Sequence, residues 1–394
     1  MPLNNIGRID PLDCTGCAAC AQVCGEHAIR MEYRDGFAFP MVSSEACIGC
    51  GICLSVCQAH SRPVLNTPRS TLLAICRDSR IYSTSTSGGI FGGLARYLLD
   101  QGDAAVCGAA MFPDGSVRHI IVDCFEDLHR LQGSKYVQSD TSEVLREAES
   151  LLKAGRKLLF SGTPCQIAAL NKYLGKEYLN LYTVDIVCHG VPSPVLFREH
   201  VRENLSDGKP VHSVSFRMKD RFERYGYHLQ FTDPDGRRKL LYGTEDPYYR
   251  AFMEDLSLRE SCYRCPYATA ERAGDISVGD CGAPDRHPTF HLGKTISEVF
   301  INTEKGSQLW TEAEDLFDWE PADTLEEALA NESMHGPAVR PDKRDAFYPC
   351  TGSELNNRIV ETLGKVSLKT RVRNRFRRFV PECIRKLNLS EFKP

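Results

Sequence analysis

Two periodicities of apolar residues alternate between residues 88 and 188. GGIFGGLARYLLDQG (88–102) sets its apolar positions at helical spacing, and SEVLREAESLLKAG (142–155) does so again, with Ser142 as the expected cap and Gly155 as the stop. Between and after them, DAAVCGAAMF, SVRHIIVD, RKLLF and LYTVDIV are short runs of strand type, the first two flanking a turn at Pro113-Asp114-Gly115. Strand and helix in alternation predict a largely parallel sheet. From Val211 to Tyr242 the pattern changes to VHSVSFR, YGYHLQFT, a Pro234-Asp235-Gly236 turn and RKLLY, which reads as an antiparallel insertion. DISVGD and SEVFIN read as late core strands, and DTLEEALA as a surface helix.

The front of the chain follows a different code. Cys14, Cys17, Cys20 and Cys24 are spaced C-x2-C-x2-C-x3-C, and Cys47, Cys50, Cys53 and Cys57 repeat the spacing. That is the bacterial ferredoxin pattern, in which the fourth cysteine of each run reaches the other cluster. One 4Fe–4S cluster is thus expected on Cys14, Cys17, Cys20 and Cys57, and a second on Cys47, Cys50, Cys53 and Cys24. A zinc module is the alternative, but zinc sites pair two close ligands with two distant ones. Gly25 and Gln58 stand where such runs usually place proline. AIRMEYRDGFAFP reads as strand, a turn at Asp35-Gly36, and strand. The Pro-punctuated RPVLNTPRS follows as a linker, so the front module is expected to have a core of its own.

A second constellation lies in the α/β stretch. Cys165 follows one predicted strand (LLFSGTPCQI) and Cys188 the next (VDIVCHGVPSP), positions that fall at the carboxyl edge of an open sheet, where ligands bind. With the pair Cys262 and Cys265 they make four thiolates, enough for a third 4Fe–4S cluster. Cys281 is the rival for one place, and a buried apolar role for Cys165 and Cys188 is the plainer reading.

Composition narrows the class. At 394 residues the chain has room for a small module and a larger domain, and 42% hydrophobic with 25% charged residues is ordinary for a globular protein. The net charge of −4 argues against nucleic acid as a partner. The start has no signal-peptide pattern and no stretch approaches a membrane span, so a cytoplasmic protein with reduced cysteines is expected.

The motifs TSGGIFGGLARYLL, GSKYVQS, FSGTPCQIAAL, DIVCHGVPSP and CYRCPYATAERAGDISVGD, in that order, resemble those of the coenzyme F420 hydrogenase/dehydrogenase beta-subunit family. The resemblance implies an FAD-containing iron–sulfur oxidoreductase, with coenzyme F420 or another organic molecule as acceptor. It departs at GDCGAP, where Cys281 and Gly282 replace an aromatic residue and a tryptophan. The chain then reads as a mixed α/β (α+β) protein: a two-cluster ferredoxin-type domain (1–66), a flavin-binding beta-subunit-like domain (67–345) and a basic tail (346–394).

A flavin also follows from electron bookkeeping, since clusters pass single electrons and organic acceptors take two. The expected phosphate cradle is Ser85, Ser87, Gly88 and Gly89 at a helix start. Lys135 is expected to supply positive charge to phosphate or flavin, and Tyr136 a ring or hydroxyl, against the reading of a surface lysine and a core tyrosine. Arg217, Lys219, Arg221 and Arg224 suit an acidic cofactor tail or an acidic substrate, or form a solvated charged face. His189, directly after Cys188, reads as a proton donor, as a hydrogen-bond donor to cluster sulfur, or as a cap or core residue. Ferredoxin or a redox-enzyme subunit is the expected donor. Residues 365–386 carry nine Lys/Arg against one Glu, among apolar positions, and read as a helix for an anionic membrane or an acidic partner, or as a solvated helix. The alternative to an enzyme is a non-catalytic electron-transfer subunit.

Overall fold

The computed structural model describes residues 4–204, 211–217, 219, 228–287, 290, 294–348 and 355–379. Its first strands, β1 (Ile29–Arg34) and β2 (Phe37–Val42), form a hairpin. Asp35 and Gly36 both take positive φ there, as a two-residue turn matched to the strand twist requires.

Among the described residues eleven further strands follow: β3 (Ser70–Cys76), β4 (Ala104–Met111), β5 (Val117–Val122), β6 (Lys157–Gly162), β7 (Leu181–Ile186), β8 (Ser213–Phe216), β9 (His228–Thr232), β10 (Arg238–Tyr242), β11 (Ile276–Asp280), β12 (Ser297–Ile301) and β13 (Phe317–Ala322). Eight of them make one sheet in the order β13-β3-β12-β11-β7-β6-β4-β5. The centre β11-β7-β6-β4 is parallel, and both margins are antiparallel. β3, β4, β6, β7 and β11 therefore run the same way, with β5, β12 and β13 opposed, so the expected largely parallel sheet has a parallel heart and antiparallel edges. Residues Ala104–Cys107 and Leu158–Phe160 are buried without alternation because helices cover both faces. One such helix, Ile90–Asp100, buries Leu94 and Leu98 against Val106, Leu159 and Val184.

The antiparallel insertion is present as a separate three-stranded sheet, β10-β9-β8. Phe216, Leu229 and Phe231 pack there on Phe197, Tyr248 and Tyr249. DTLEEALA is a helix, Thr324–Ala330, with Leu325 and Leu329 exposed.

Two expectations need correction. Ser142 does not cap the helix Val144–Lys153, because its hydroxyl bonds Asp140 instead. The cap comes from the front module: Gln22 Oε1 accepts from the N–H groups of Leu145 (3.1 Å) and Arg146 (3.2 Å). Nor does the front module stand apart. Ala19 and Val56 join the core that holds Phe160 and Ile167, Thr141 donates to the Cys17 carbonyl at 2.9 Å, Gln138 to that of Thr15 at 2.8 Å, and Ser193 to that of Gly36 at 2.9 Å. The linker is tied down as well, with Asn66 and Arg272 exchanging two backbone hydrogen bonds of 2.8 Å. A module of this size buries little surface alone, and its private core is only a few residues around Ile6, Ile29 and Leu54. Docking makes up the difference.

Candidate redox site at the carboxyl edge of the sheet

The repeat in the front module extends to the backbone. Gly16 and Ala18 have positive φ in the first loop, Gly49 and Gly51 at the matching places in the second, and each loop runs into a short helix, Ala19–Val23 and Ile52–Ser55. Loops of alternating handedness turn successive N–H groups into one concavity, which suits an anionic cluster. Cys14, Cys17, Cys20 and Cys57 line a single cavity of about 220 Å³, closed by Ile6 and Phe39. Burial pushes the Cys17 thiol up to about 12, with Cys14 and Cys57 adding to the shift, and the Cys20 thiol higher still. Cys57, from the second run, thus lies with the three cysteines of the first. Cys53 lies within electrostatic reach of Cys50 and Cys47, and Cys24 packs against its small core. Asn5 donates to Cys47 Sγ at 3.4 Å.

The second constellation also converges. β6 ends in a turn whose Thr163 and Gln166 form a capping box for the helix Pro164–Leu174, and this fixes Cys165 in the first turn. Cys188 follows β7, and Cys262 and Cys265 lie on the turn Glu260–Arg264 and just beyond it. Burial raises all four thiols. Cys165 stands at about 12 and Cys262 at about 11, while Cys188 is raised further by Cys262, Cys165 and Cys265 together. Cys262 Sγ accepts from the Val191 N–H at 3.4 Å. Cys281 is not of this company. It follows β11, and its thiol lies 3.9 Å from Glu327, near Glu298. Among the described residues no three His, Cys, Asp or Glu side chains converge closely enough for one metal ion. A cubane takes a thiolate at each corner, so its ligands stand farther apart than the four around zinc.

Three residues that sequence reasoning passes over hold this edge together. Asp185, at the end of β7, accepts from Arg272 Nη2 (2.7 Å) and from the N–H groups of Ala273 (3.1 Å) and Gly274 (2.7 Å), with both side chains buried. This pins the segment after Cys265 to the strand that delivers Cys188. Tyr267, two residues after Cys265, donates to Gln58 Oε1 at 2.6 Å, and its hydroxyl feels Cys165 and Cys265 on one side and Cys17 on the other. Arg259, three residues before Cys262, reaches Cys14. The two cysteine sets are therefore neighbours.

The residues expected to hold a flavin gather beyond the Cys188 end. Ser85, Ser87, Gly88 and Gly89 join the helices Ser79–Thr84 and Ile90–Asp100. The Ser85 hydroxyl donates to the Ile81 carbonyl (2.7 Å), Ser87 to that of Ile296 (2.5 Å), and the Gly88 N–H to Ser297 Oγ (2.9 Å). A Cβ on Gly88 would collide with the Ala74 carbonyl, so its smallness serves the sheet first. A diphosphate here would meet the first-turn N–H groups of the eleven-residue helix and Lys219 beside it, since the Ser85 and Ser87 hydroxyls are already spent on carbonyls. Lys219 donates to the carbonyls of Tyr82 (2.8 Å) and Ser87 and sits 3.2 Å above the Tyr82 ring. Arg217 bonds Asp280 at the tip of β11 and Tyr136 Oη (3.3 Å). Lys135 turns its ammonium onto the carbonyls of Leu131 (3.0 Å) and Gln132 (2.8 Å), and burial pulls it down to about 7. Tyr136 lies in an aromatic group with Phe216, Tyr249 and Phe252. His189 stacks edge-on against the same Phe252 and bonds Asp255 at 2.6 Å, which raises its pKa. Arg221, Arg224 and the end of the basic tail lie outside the described residues. In the part of the tail that is described, Leu368 and Val372 are exposed on the helix Leu368–Phe379.

Comparison with known proteins finds relatives for two stretches of the chain. Residues 155–323 match the family model for the C terminus of the coenzyme F420 hydrogenase/dehydrogenase beta subunit, and residues 13–61 match that of the 4Fe-4S dicluster domain. A coenzyme F420-dependent sulfite reductase of Methanocaldococcus jannaschii is 26% identical over 226 residues, 56% of this chain and 34% of that protein. The match thus spans about a third of the length of that curated relative. Among solved structures, a chain of the F420-reducing NiFe hydrogenase complex from Methanosarcina barkeri aligns with a TM-score of 0.48 at 20% identity, covering 69% of this chain and 91% of that one. Residues 13–61 belong to the 4Fe–4S dicluster domain family, and residues 155–323 to the C-terminal domain family of the coenzyme F420 hydrogenase/dehydrogenase beta subunit.

Proposed function

We propose that this chain is an iron–sulfur flavoprotein oxidoreductase. Single electrons enter at the front cysteine sets, cross a third 4Fe–4S group on Cys165, Cys188, Cys262 and Cys265, and leave as hydride to a deazaflavin such as coenzyme F420 or to another organic acceptor. The observation that carries this reading is the place of the third set. On one side it meets the Cys14 set through Arg259 and Tyr267; on the other, His189 leads through Phe252 to Tyr136. FAD, when bound, accepts electrons singly and gives them up as a pair. The chain's own part is to hold its diphosphate at the start of the helix Ile90–Asp100, with Lys219 close by. His189, oriented by Asp255, is the proton-bearing side chain beside Cys188.

The donor is a ferredoxin or a partner subunit of a redox enzyme. Cys50 is exposed between Ile48 and Ile52, both at least half exposed, which gives such a donor an apolar landing beside the second cluster. Anaerobically reconstituted full chain tests the reading by its flavin content and by loss of F420 absorbance when reduced ferredoxin is supplied. Cluster reduction without turnover of deazaflavin or any other organic acceptor would instead mark a non-catalytic electron-transfer subunit.

A further inference from the structure

Arg259 is among the largest fully buried side chains of the protein, at 1% exposure. Its Nε donates to the Cys14 carbonyl (2.6 Å), Nη1 to Gln138 Oε1 (3.2 Å), and Nη2 to the Ala38 carbonyl (2.9 Å) and to Cys14 Sγ (3.7 Å). The guanidinium lies against the Phe39 ring, 4.4 Å from its centre. Gly16 makes room for it, since a Cβ there would stand 2.7 Å from Nη1. The same residue is built into the third set: its carbonyl accepts from the Cys262 N–H at 2.9 Å, and its charge reaches the thiols of Cys165 and Cys262. Among the described residues no carboxylate forms an ion pair with it. A guanidinium keeps its proton in any protein site, and a buried charge without a counter-charge is costly. The groups in reach that can supply negative charge are thiolates on either side.

We propose that Arg259 is a shared electrostatic tuning residue, a fixed positive charge between the Cys14 set and the third set that raises the reduction potential of both clusters. This rests on the reading that both sets hold 4Fe–4S groups. A cluster on four thiolates is anionic and gains a further negative charge on reduction, so an adjacent buried cation favours the reduced form. In the step it serves, the Cys14 cluster loses one electron and the third cluster gains it. No bond is made or broken and Arg259 keeps its protons. Because the cation faces both partners, both potentials rise together and the step between them stays nearly level.

The test is a redox titration of the anaerobically reconstituted full chain followed by electron paramagnetic resonance. In Arg259→Met the midpoints of the Cys14 cluster and the third cluster should each fall by at least 59 mV, a tenfold change in a one-electron equilibrium. The cluster on Cys47, Cys50, Cys53 and Cys24 should not move. Arg259→Lys, which keeps the charge, should restore most of the shift. Unmoved midpoints in an Arg259→Met protein with full iron would overturn the proposal and leave Arg259 a structural brace. If Arg259→Met loses iron, Gln138→Glu decides, because it sets a carboxylate beside the guanidinium without removing it. It should lower both midpoints relative to Gln138→Leu, and equal midpoints in that pair would overturn the proposal. A parent chain with about eight iron atoms would remove the third cluster instead, and the Cys14 cluster's midpoint would still decide the role of Arg259.

Discussion

The two kinds of cysteine set in this protein are assembled by opposite means. The front set is written locally, with spacing, positive-φ glycines and short helices repeating between residues 14–24 and 47–57. The core set is gathered by topology, since Cys165 and Cys188 follow the parallel neighbours β6 and β7, and the Cys262–Cys265 pair is held to them by the segment that Asp185 ties to β7. A local set depends on its own loop. A gathered set depends on the whole sheet. The contrast predicts that damage to the sheet should scatter the core thiols, while the front loops persist unless their docking surface is lost.

The largest expected effect comes from deleting residues 1–63. This would remove the Gln22 cap of the helix Val144–Lys153, strip Arg259 of its Cys14 and Ala38 partners and bare the apolar contacts of Ala19 and Val56. Soluble yield and cooperative unfolding should both be lost. A truncated core that unfolds at the parent's temperature would restore the independent module that the Pro-rich linker suggests.

Next in size is Asp185→Ala, which leaves Arg272 buried without its counter-charge. Breaking such a pair costs about 3–5 kcal/mol. Denaturant unfolding should show the loss, and reconstituted iron should fall at the third set before the front sets. Uniform loss of iron from all three sets would contradict a difference between local and gathered sets.

A smaller effect separates the regions by pH. Glu298 on β12 is fully buried, and burial raises its carboxyl to about 8. Between the unfolded value near 4.5 and about 8 the folded chain holds this proton more tightly than the unfolded chain, so its contribution to stability declines as pH rises and is gone above about 8. Glu298→Gln lacks that slope. Its melting temperature should gain on the parent's from pH 5 to pH 8, with the front clusters' spectra unchanged. A constant difference across that range would mean that Glu298 is ionised in the folded protein.

Much of this architecture is legible in the sequence where one signal dominates. Four-residue cysteine runs, the Asp35-Gly36 turn and the buried runs of β4, β6 and β7 are local and strong. The strands β3 and β13 escape because STLLAIC follows a proline-rich linker, and FDWEPA carries charge and proline as an edge strand can. Ser142 reads as a cap because nothing in the sequence reveals that Gln22, more than a hundred residues earlier, takes the place. Arg259, Tyr267 and Asp185 escape for the same reason. Each acts through partners that only the fold brings near. Gly88 shows the converse, a glycine that reads as a ligand cradle but whose first use is close packing on β3.

The central claim is that the core holds a third cluster on cysteines gathered by the sheet. It is tested most directly by counting iron and acid-labile sulfide in the anaerobically reconstituted chain and in Cys165→Ser/Cys188→Ser. The parent should hold about twelve of each, four for every 4Fe–4S group, and the double variant about eight, with the front clusters' resonance signals intact. A double variant that keeps the parent's full complement would contradict the account.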